Sequence, residues 1–110
     1  MSKQVRVLKN EGDDSKPDMA EVDTRFSAGD RFRILYDWSD DIPGIVGIEK
    51  IWHRDEVVVE ITEVVCNMVI MPPEVWLFLK TEDPKFVAHY GGGVFGLEES
   101  RLERRIVDRA

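Results

Sequence analysis

The stretch "VVVEITEVV", from Val57 to Val65, decides which fold this chain is expected to adopt. Its valine, isoleucine and threonine residues are β-branched and favour strands. Because side chains alternate along a strand, Val57, Val59 and Ile61 would lie on one face and share a core. The sequence therefore predicts a half-buried strand here, with more polar positions on its other face.

Two further strands are expected upstream of this stretch. The segment "IVGIEKIW", residues 45–52, also alternates, and the charged residues from Arg54 to Glu56 would turn the chain. These two strands are predicted to form a hairpin. Earlier still, Gly29 and Asp30 indicate a turn that opens another strand. One face of that strand would carry Phe32, Ile34 and Tyr36.

The chain beyond Val64 is more apolar than one face of a sheet requires. If residues 64–71, "VVCNMVIM", continue as a strand, both of its faces are apolar. A single small sheet has one core face, so the second face needs a cover. That cover would be the "EVWLFL" segment, a terminal helix or another subunit. The last alternative leaves a homodimer open.

The remaining elements are predicted from local signals. "EVWLFL", residues 74–79, follows two prolines that can begin a helix, while its residue types favour a strand. "KFVAHYGGGVFGL", residues 85–97, is typical of a strand, a glycine turn and a second strand. A capping box from Ser100 to Glu103 predicts a terminal helix, with a strand as the alternative.

Five or six short strands with tight turns and little helix indicate a mainly β protein. We expect a small, strongly bent antiparallel sheet or a partly open barrel, with one or two short helices. The 110 residues would form a single domain. Residues Asn10 to Asp23 are polar and are expected to be a flexible loop or linker outside the sheet. The compact part would begin near Arg25.

Composition limits the classes of partner. A net charge of −7 argues against direct nucleic-acid binding, because phosphate contacts need clustered cations. The basic patch near the C-terminus is interpreted as a solvated face with local salt bridges. It consists of Arg101, Arg104, Arg105 and Arg109. No apolar stretch is unbroken enough to span a bilayer, so we expect no membrane association. A single cysteine and no signal-like start favour the cytoplasm, or the host cytoplasm for a viral protein.

Catalysis is the weakest functional hypothesis. The two histidines, His53 and His89, are far apart in sequence, and no local motif links either one to Cys66. That cysteine is expected to be a buried, inert thiol. The aspartates have no histidine at metal-ligand spacing, and residues 91–93 lack the lysine and hydroxyl residue of a phosphate loop. We therefore expect no metal, no cofactor and no enzymatic activity.

Three segments in the first two-thirds of the chain resemble a known family. They are "AGDRFRIL" at 28–35, "DDIPGIVGIEKI" at 40–51 and "EVVVEI" at 56–61, and the tail "FGLEESRLERRI" adds a looser match. In small prokaryotic and phage Src-homology-3-like barrels, a glycine-aspartate turn opens the first strand, and a loop ends in proline-glycine before a hairpin. The resemblance implies a barrel-like fold and no particular activity.

The stretch "YDWSDDIPG", residues 36–44, is the candidate binding region. It is interpreted as a long loop between two strands, and loops carry binding function more often than cores do. Trp38 would either fold back over the barrel or serve as an apolar anchor, while the aspartates would steer a basic partner. The predicted partner-binding residues are Tyr36, Asp37, Trp38, Asp40 and Asp41.

These observations together favour a non-enzymatic protein-binding module whose protein partner presents a basic surface. Because clustered carboxylates can substitute for phosphates, one form of this hypothesis is a phage-encoded inhibitor. Its target would be a host nucleic-acid-acting or defence protein. The alternative is a structural or assembly adaptor that acts through homo-oligomerisation of its apolar strand.

Overall fold

A computed structural model describes residues 2–44 and 47–110, and it describes their side chains except at 40–44, 48 and 49. Most of the regular structure in these ranges is strand, which confirms the mainly β fold class. The strands are β1 (Ser2–Leu8), β2 (Met19–Asp23), β3 (Arg31–Gly44), β4 (Gly47–Asn67), β5 (Glu74–Lys80), β6 (Val94–Glu98) and β7 (Ile106–Arg109). The helices are α1 (Pro84–Tyr90) and α2 (Glu99–Arg105). Within the described ranges, neither helix has the length and apolar character needed to cross a membrane.

The described strands form one curled, open sheet with the shape of a half-barrel. β4 lies at its centre, because Glu60 of β4 pairs with Arg31 of β3 on one edge and with Lys80 of β5 on the other. β1 joins β4 beyond the end of β3, and β2, β6 and β7 are the outer strands. The β1–β4 pairing is parallel, and the other described pairings are antiparallel.

The main hairpin differs from the predicted one. β4 runs without a break through the expected turn, and its hairpin partner is β3, in continuous register out to Gly44↔Gly47. Arg54 and Glu56 do not turn the chain, because they occupy the exposed face of one alternating strand. The last described pair of the hairpin is Gly44↔Gly47, and Gly47 has a φ of +133°, which favours glycine.

The core lies on the inner face of the curled sheet. The two predicted apolar faces are confirmed, since every member is at most 4% exposed: Phe32, Ile34 and Tyr36 on β3, and Val57, Val59 and Ile61 on β4. Other elements add Val5, Val7, Leu77, Leu79, Phe86 and Leu102. Burying a side chain of this kind stabilises the fold by roughly 1.5–3 kcal/mol. Both ends of the chain are therefore held by the same core.

Residues 84–90 form helix α1, where a strand was predicted. The side chain of Asp83 accepts a hydrogen bond from the Phe86 amide at 3.0 Å, which caps the first turn. Pro84 occupies the first helical position, and Gly91, with a φ of 75°, ends the helix in the left-handed conformation. These three signals override the strand preference of the aromatic and β-branched residues. The strand expected after the glycine turn is present as β6.

The C-terminal segment is both a helix and a strand. Helix α2 begins directly after β6 and buries Leu102 against the core. Its N-cap position is Glu98 rather than Ser100, and no side chain caps it. The chain then continues as β7, which pairs with β3. Helix α2 thus leads from the β6 edge of the sheet to the β3 edge.

Residues 19–23 belong to the sheet, and the prediction of a flexible segment from Asn10 to Asp23 is wrong for them. β2 pairs with β1 from Arg6↔Met19 to Ser2↔Asp23, and its half-buried Ala20 and Val22 pack against the core. The remaining positions of this short strand, Met19, Glu21 and Asp23, are exposed, so only two residues face the core. β1 also buries core residues, so the compact part begins at β1 rather than near Arg25.

The apolar run after Val64 is divided between two environments. β4 ends at Asn67, whose side-chain oxygen accepts a hydrogen bond from the Val69 amide and turns the chain. Cys66 faces the core, whereas Val65 is buried on the other face beside its cross-strand partner Trp76. Of the expected second face, only Val65 is covered within the molecule, and Val69 and Met71 are exposed in the loop after β4.

Candidate functional site

The outer half of the β3–β4 hairpin stands away from the rest of the sheet. β7 pairs with β3 at residues 32–34, and β5 joins β4 from Glu60 onward. Beyond these points the described residues of the two strands pair only with each other. We call residues 39–44 and 47–52 the hairpin arm. The molecule measures 53 × 33 × 20 Å with a radius of gyration of 16.9 Å, against about 13 Å for a compact domain of ~100 residues.

Trp38 fixes the base of the hairpin arm. Its ring stacks on that of His53, with centroids 4.3 Å apart, and its Nε1–H donates to Asp55 Oδ2 at 2.6 Å. Hydrogen bonds to a carboxylate are stronger than neutral ones and set the orientation of the indole. The ring is half-buried and packs against the core. The base of the arm is consequently an extension of the folded body.

Helix α1 supports the same base from the inner face. His89 approaches Trp38 edge-on, with ring centroids 5.8 Å apart, and the Tyr90 hydroxyl donates to the backbone carbonyl of Asp37. Tyr90 also contacts the ring of Tyr36 at 6.3 Å. Both histidines, distant in sequence, therefore meet at one tryptophan. No spacing in the sequence could have indicated this contact, because it depends on where α1 packs.

Two large apolar side chains are exposed on the described part of the arm. Ile51 is 46% and Trp52 is 66% exposed, and because they are neighbours on β4 they lie on opposite faces. The arm therefore presents one large apolar side chain to solvent on each of its faces. Neither residue is among the predicted binding residues, since the pattern of residues 45–52 predicts a core-forming hairpin. The alternation of side chains could have shown that one of them is exposed, because a strand that is buried on one face exposes one of any two neighbouring residues.

The interpretation of "YDWSDDIPG" as a loop is wrong, because the whole stretch is the outer part of β3. Its aromatic residues continue the inward face of that strand. Tyr36 is 4% exposed and belongs to the core, and burial is the main cause that raises the pKa of its phenol. Trp38 folds onto the body through the contacts above, which is one of the two alternatives considered for it.

The three aspartates of the stretch differ in environment. Asp37 lies on the outer face and accepts a hydrogen bond from Arg54 Nε at 2.9 Å, which holds the pKa of its carboxyl below the ordinary value. Its charge is therefore largely matched by a neighbour. Asp40 and Asp41 pair with Ile51 and Lys50 in the backbone register, and their side chains lie outside the described residues.

No constellation suited to nucleophilic or metal chemistry accompanies the arm in the described residues. Cys66 is 5% exposed, and burial raises the pKa of its thiol, which lowers the thiolate fraction available for attack. Among the residues that the structure describes, no three histidine, cysteine or acidic side chains are grouped closely enough to hold a metal ion.

No protein-family model, curated protein or solved structure matches the chain. The resemblance to Src-homology-3-like barrels stays a prediction.

Proposed function

We propose that the protein is a non-enzymatic protein-binding module and that the hairpin arm is its contact surface. One observation carries the proposal: Trp52 and Ile51 are exposed on a projection that is two strands wide. A two-stranded hairpin is marginally stable in water, and exposed apolar groups add little to it. Their placement is best explained by burial against another protein, in which Trp52 would be the main anchor.

The charge of the hairpin arm supports a partner with a basic surface. Between Ser39 and Trp52 the sequence contains the carboxylates of Asp40, Asp41 and Glu49 and a single cation, Lys50. Such a surface steers a basic protein toward the arm and can occupy phosphate-binding positions in a nucleic-acid groove. We therefore propose an inhibitor, encoded by a phage, of a host nucleic-acid-acting or defence protein.

Site-specific photo-cross-linking tests this proposal in a lysate of the cells in which the protein acts. A benzophenone amino acid replaces Trp52 in one variant and Glu56 in a matched control. Both positions lie on the exposed face of β4, but only position 52 belongs to the arm. We expect a cross-linked basic protein from position 52, with a yield that falls as the ionic strength rises from about 0.05 to 0.5 M.

The outcomes separate the hypotheses. The acidic arm is supported as the contact if position 52 gives a product and the double variant Asp40→Asn, Asp41→Asn lowers its yield at low salt. Equal products from positions 52 and 56, or none from either, contradict it. A product that contains two copies of this chain instead favours the adaptor function.

That second function, a structural adaptor acting through homo-oligomerisation, has one observation in its favour. The loop after β4 exposes Val69, Ile70 and Met71, and Met71 is 74% exposed. This apolar loop lies at the end of β4 opposite the arm. If it mediates assembly, sedimentation velocity will show self-association that salt does not weaken and that Ile70→Ser with Met71→Ser abolishes.

A further inference from the structure

A cleft rich in arginine lies between α2 and the outer face of the β3–β4 hairpin, at the base of the arm. Its volume is about 350 Å³. The lining side chains are Leu35, Asp37, Arg54, Arg101, Arg104 and Arg105. Four guanidinium groups and one carboxylate thus surround one cavity in a chain with a net charge of −7.

Two of these arginines are matched by carboxylates and two are not. Arg54 pairs with Asp37, and Arg101 pairs with Glu98 at 2.9 Å. Arg104 donates to the backbone carbonyl of Ser100, and Arg105 donates to that of Leu35, each at 3.3 Å. Neither Arg104 nor Arg105 forms an ion pair with a carboxylate of the described residues. The cleft therefore carries positive charge that the described protein does not neutralise.

The surroundings of Asp37 reflect this excess of positive charge. The hydrogen bond from Arg54 is the largest cause of its lowered pKa, and the charges of Arg54 and Arg105 lower it further. One carboxylate thus responds to two guanidinium groups. An additional anion in the cleft would meet the same field.

An aromatic pocket lies on the inner face of β3, opposite the cleft, and Arg105, which donates to the Leu35 carbonyl of that strand, lines both cavities. This second cavity measures about 310 Å³. Its floor is formed by the buried rings of Tyr36 and Phe86, and Phe95 lies beside Phe86 with ring centroids 5.0 Å apart. The walls include the exposed side chains of Tyr90 and Val94. Each cavity is large enough for part of a small ligand, since ligand sites span roughly 300–1,000 Å³.

We propose that the two cavities together bind a small aromatic anion, an aryl phosphate or an aryl carboxylate. The ring would enter the pocket and pack against the aromatic side chains, whose faces and edges favour aromatic neighbours. The charged group would reach the guanidinium groups of Arg104 and Arg105, which can bind phosphate or carboxylate through paired hydrogen bonds. This site is separate from the arm residues that carry the proposed protein contact.

Calorimetric titration of the full chain with matched probes tests the site. The anions are 2-naphthyl phosphate and 2-naphthoate, and the controls are 2-naphthol, which has the ring without the anionic group, and inorganic phosphate, which has the charge alone. We expect at least one aryl anion to bind ten or more times more tightly than both controls. The tighter of the two anions identifies the charged group that the site prefers.

Substitutions assign the binding to named residues. Arg104→Gln with Arg105→Gln should lower the affinity for the aryl anion to that of 2-naphthol, while the exposed Arg31→Gln should leave it unchanged. Because Arg105 also bonds the Leu35 carbonyl, Arg104→Gln alone provides a variant with little effect on folding, and it should weaken binding several-fold. Thermal melts of each variant verify that it is folded.

Several results would overturn the proposal. They are equal affinity for 2-naphthol and the aryl anions, equal affinity for inorganic phosphate, no binding at millimolar ligand, or full affinity in the double variant. A variant with a shortened arm should bind the aryl anion normally. Loss of protein cross-linking at position 52 would therefore leave this site intact, and loss of aryl-anion binding would leave the arm intact.

Discussion

Trp38 is the residue at which the folded body and the hairpin arm meet, and Asp55 is its polar partner. We expect Asp55→Ala to lower the free energy of unfolding by about 1 kcal/mol, since the indole N–H loses a charged acceptor while keeping some access to water. Denaturant titration followed by far-UV circular dichroism measures this loss. The exposed Glu56→Ala is the control and should change stability by less than about 0.5 kcal/mol. Equal effects at both positions would show that the hydrogen bond contributes nothing.

Cys66 is expected to react as a buried thiol. Because burial raises the pKa of this group, the folded state resists its ionisation. Its contribution to stability is therefore fully present below the ordinary thiol pKa of about 8.5 and is lost as the pH rises through the higher folded value. We expect slow labelling by a disulfide reagent at neutral pH, rapid labelling in denaturant, and a decline in stability above about pH 8.5 that Cys66→Val removes. Fast labelling of the folded protein would contradict the buried assignment.

At the scale of elements, the close approach of the glycine turn before β6 to Thr81 requires a glycine at position 93. A Cβ at Gly93 would lie 2.2 Å from the backbone oxygen of Thr81, whereas a Cβ at Gly92 would meet nothing within 4 Å. The Thr81 amide also donates to the Gly93 carbonyl at 2.7 Å, so the two backbones cannot separate freely. We expect Gly93→Ala to lower the free energy of unfolding by about 2 kcal/mol or more, and Gly92→Ala by less than about 0.5 kcal/mol. Similar melting temperatures for the two variants would refute this contact.

Strand faces were predictable from the sequence, and strand partners were not. A strand that is buried on one side has apolar residues at every second position, so the inward residues of β3 and of the middle of β4 could be recognised. The same alternation suits any neighbouring strand, which is why the pairing predicted for residues 45–52 is wrong for residues 47–52, whose partner is β3. Residues 45 and 46 lie outside the described residues. Helix α1 was overlooked although Asp83, Pro84 and Gly91 are ordinary helix boundary signals. Its aromatic residues outweighed them in the prediction.

The candidate site was predictable only in part, because its position depends on where other strands stop. Two of the predicted binding residues, Asp40 and Asp41, belong to the arm. Tyr36 could have been recognised as a core residue from its alternation with Ile34. The prominence of Trp52 could not have been derived, since it follows from β5 and β7 ending their pairing before the arm begins.

At the scale of the whole molecule, β2 is expected to contribute to stability as part of the sheet. Val22→Ala removes two methyl groups from a side chain packed against the core and should cost about 1 kcal/mol. For a domain of this size such a loss lowers the melting temperature by about 4–8 °C. Glu21→Ala, on the exposed face of the same strand, should leave it nearly unchanged. If Val22→Ala also leaves it unchanged, β2 is not docked in solution.

The hairpin arm is expected to add length to the molecule and little stability. Replacing residues 40–51 by an Asn-Gly turn keeps the pairing of Ser39 with Trp52 and removes the projection. The free energy of unfolding should change by less than about 1 kcal/mol, because Lys50 and Ile51, two of the removed residues, have exposed side chains. Small-angle X-ray scattering should show the radius of gyration falling from 16.9 Å toward about 13 Å. A collapse of the fold would show that the arm is part of the core.

The central position of β4 determines the order in which the chain can fold during synthesis. β1 pairs with β4 at Arg6↔Val65, so the N-terminal strand finds this neighbour only after nearly sixty more residues have been translated. Closing so long a loop is entropically costly and slow, whereas the β3–β4 hairpin needs only a local reversal. The hairpin is therefore expected to form first, and its exposed arm exists while the rest of the sheet is still being made. A partner that recognises the arm could engage the nascent chain on the ribosome.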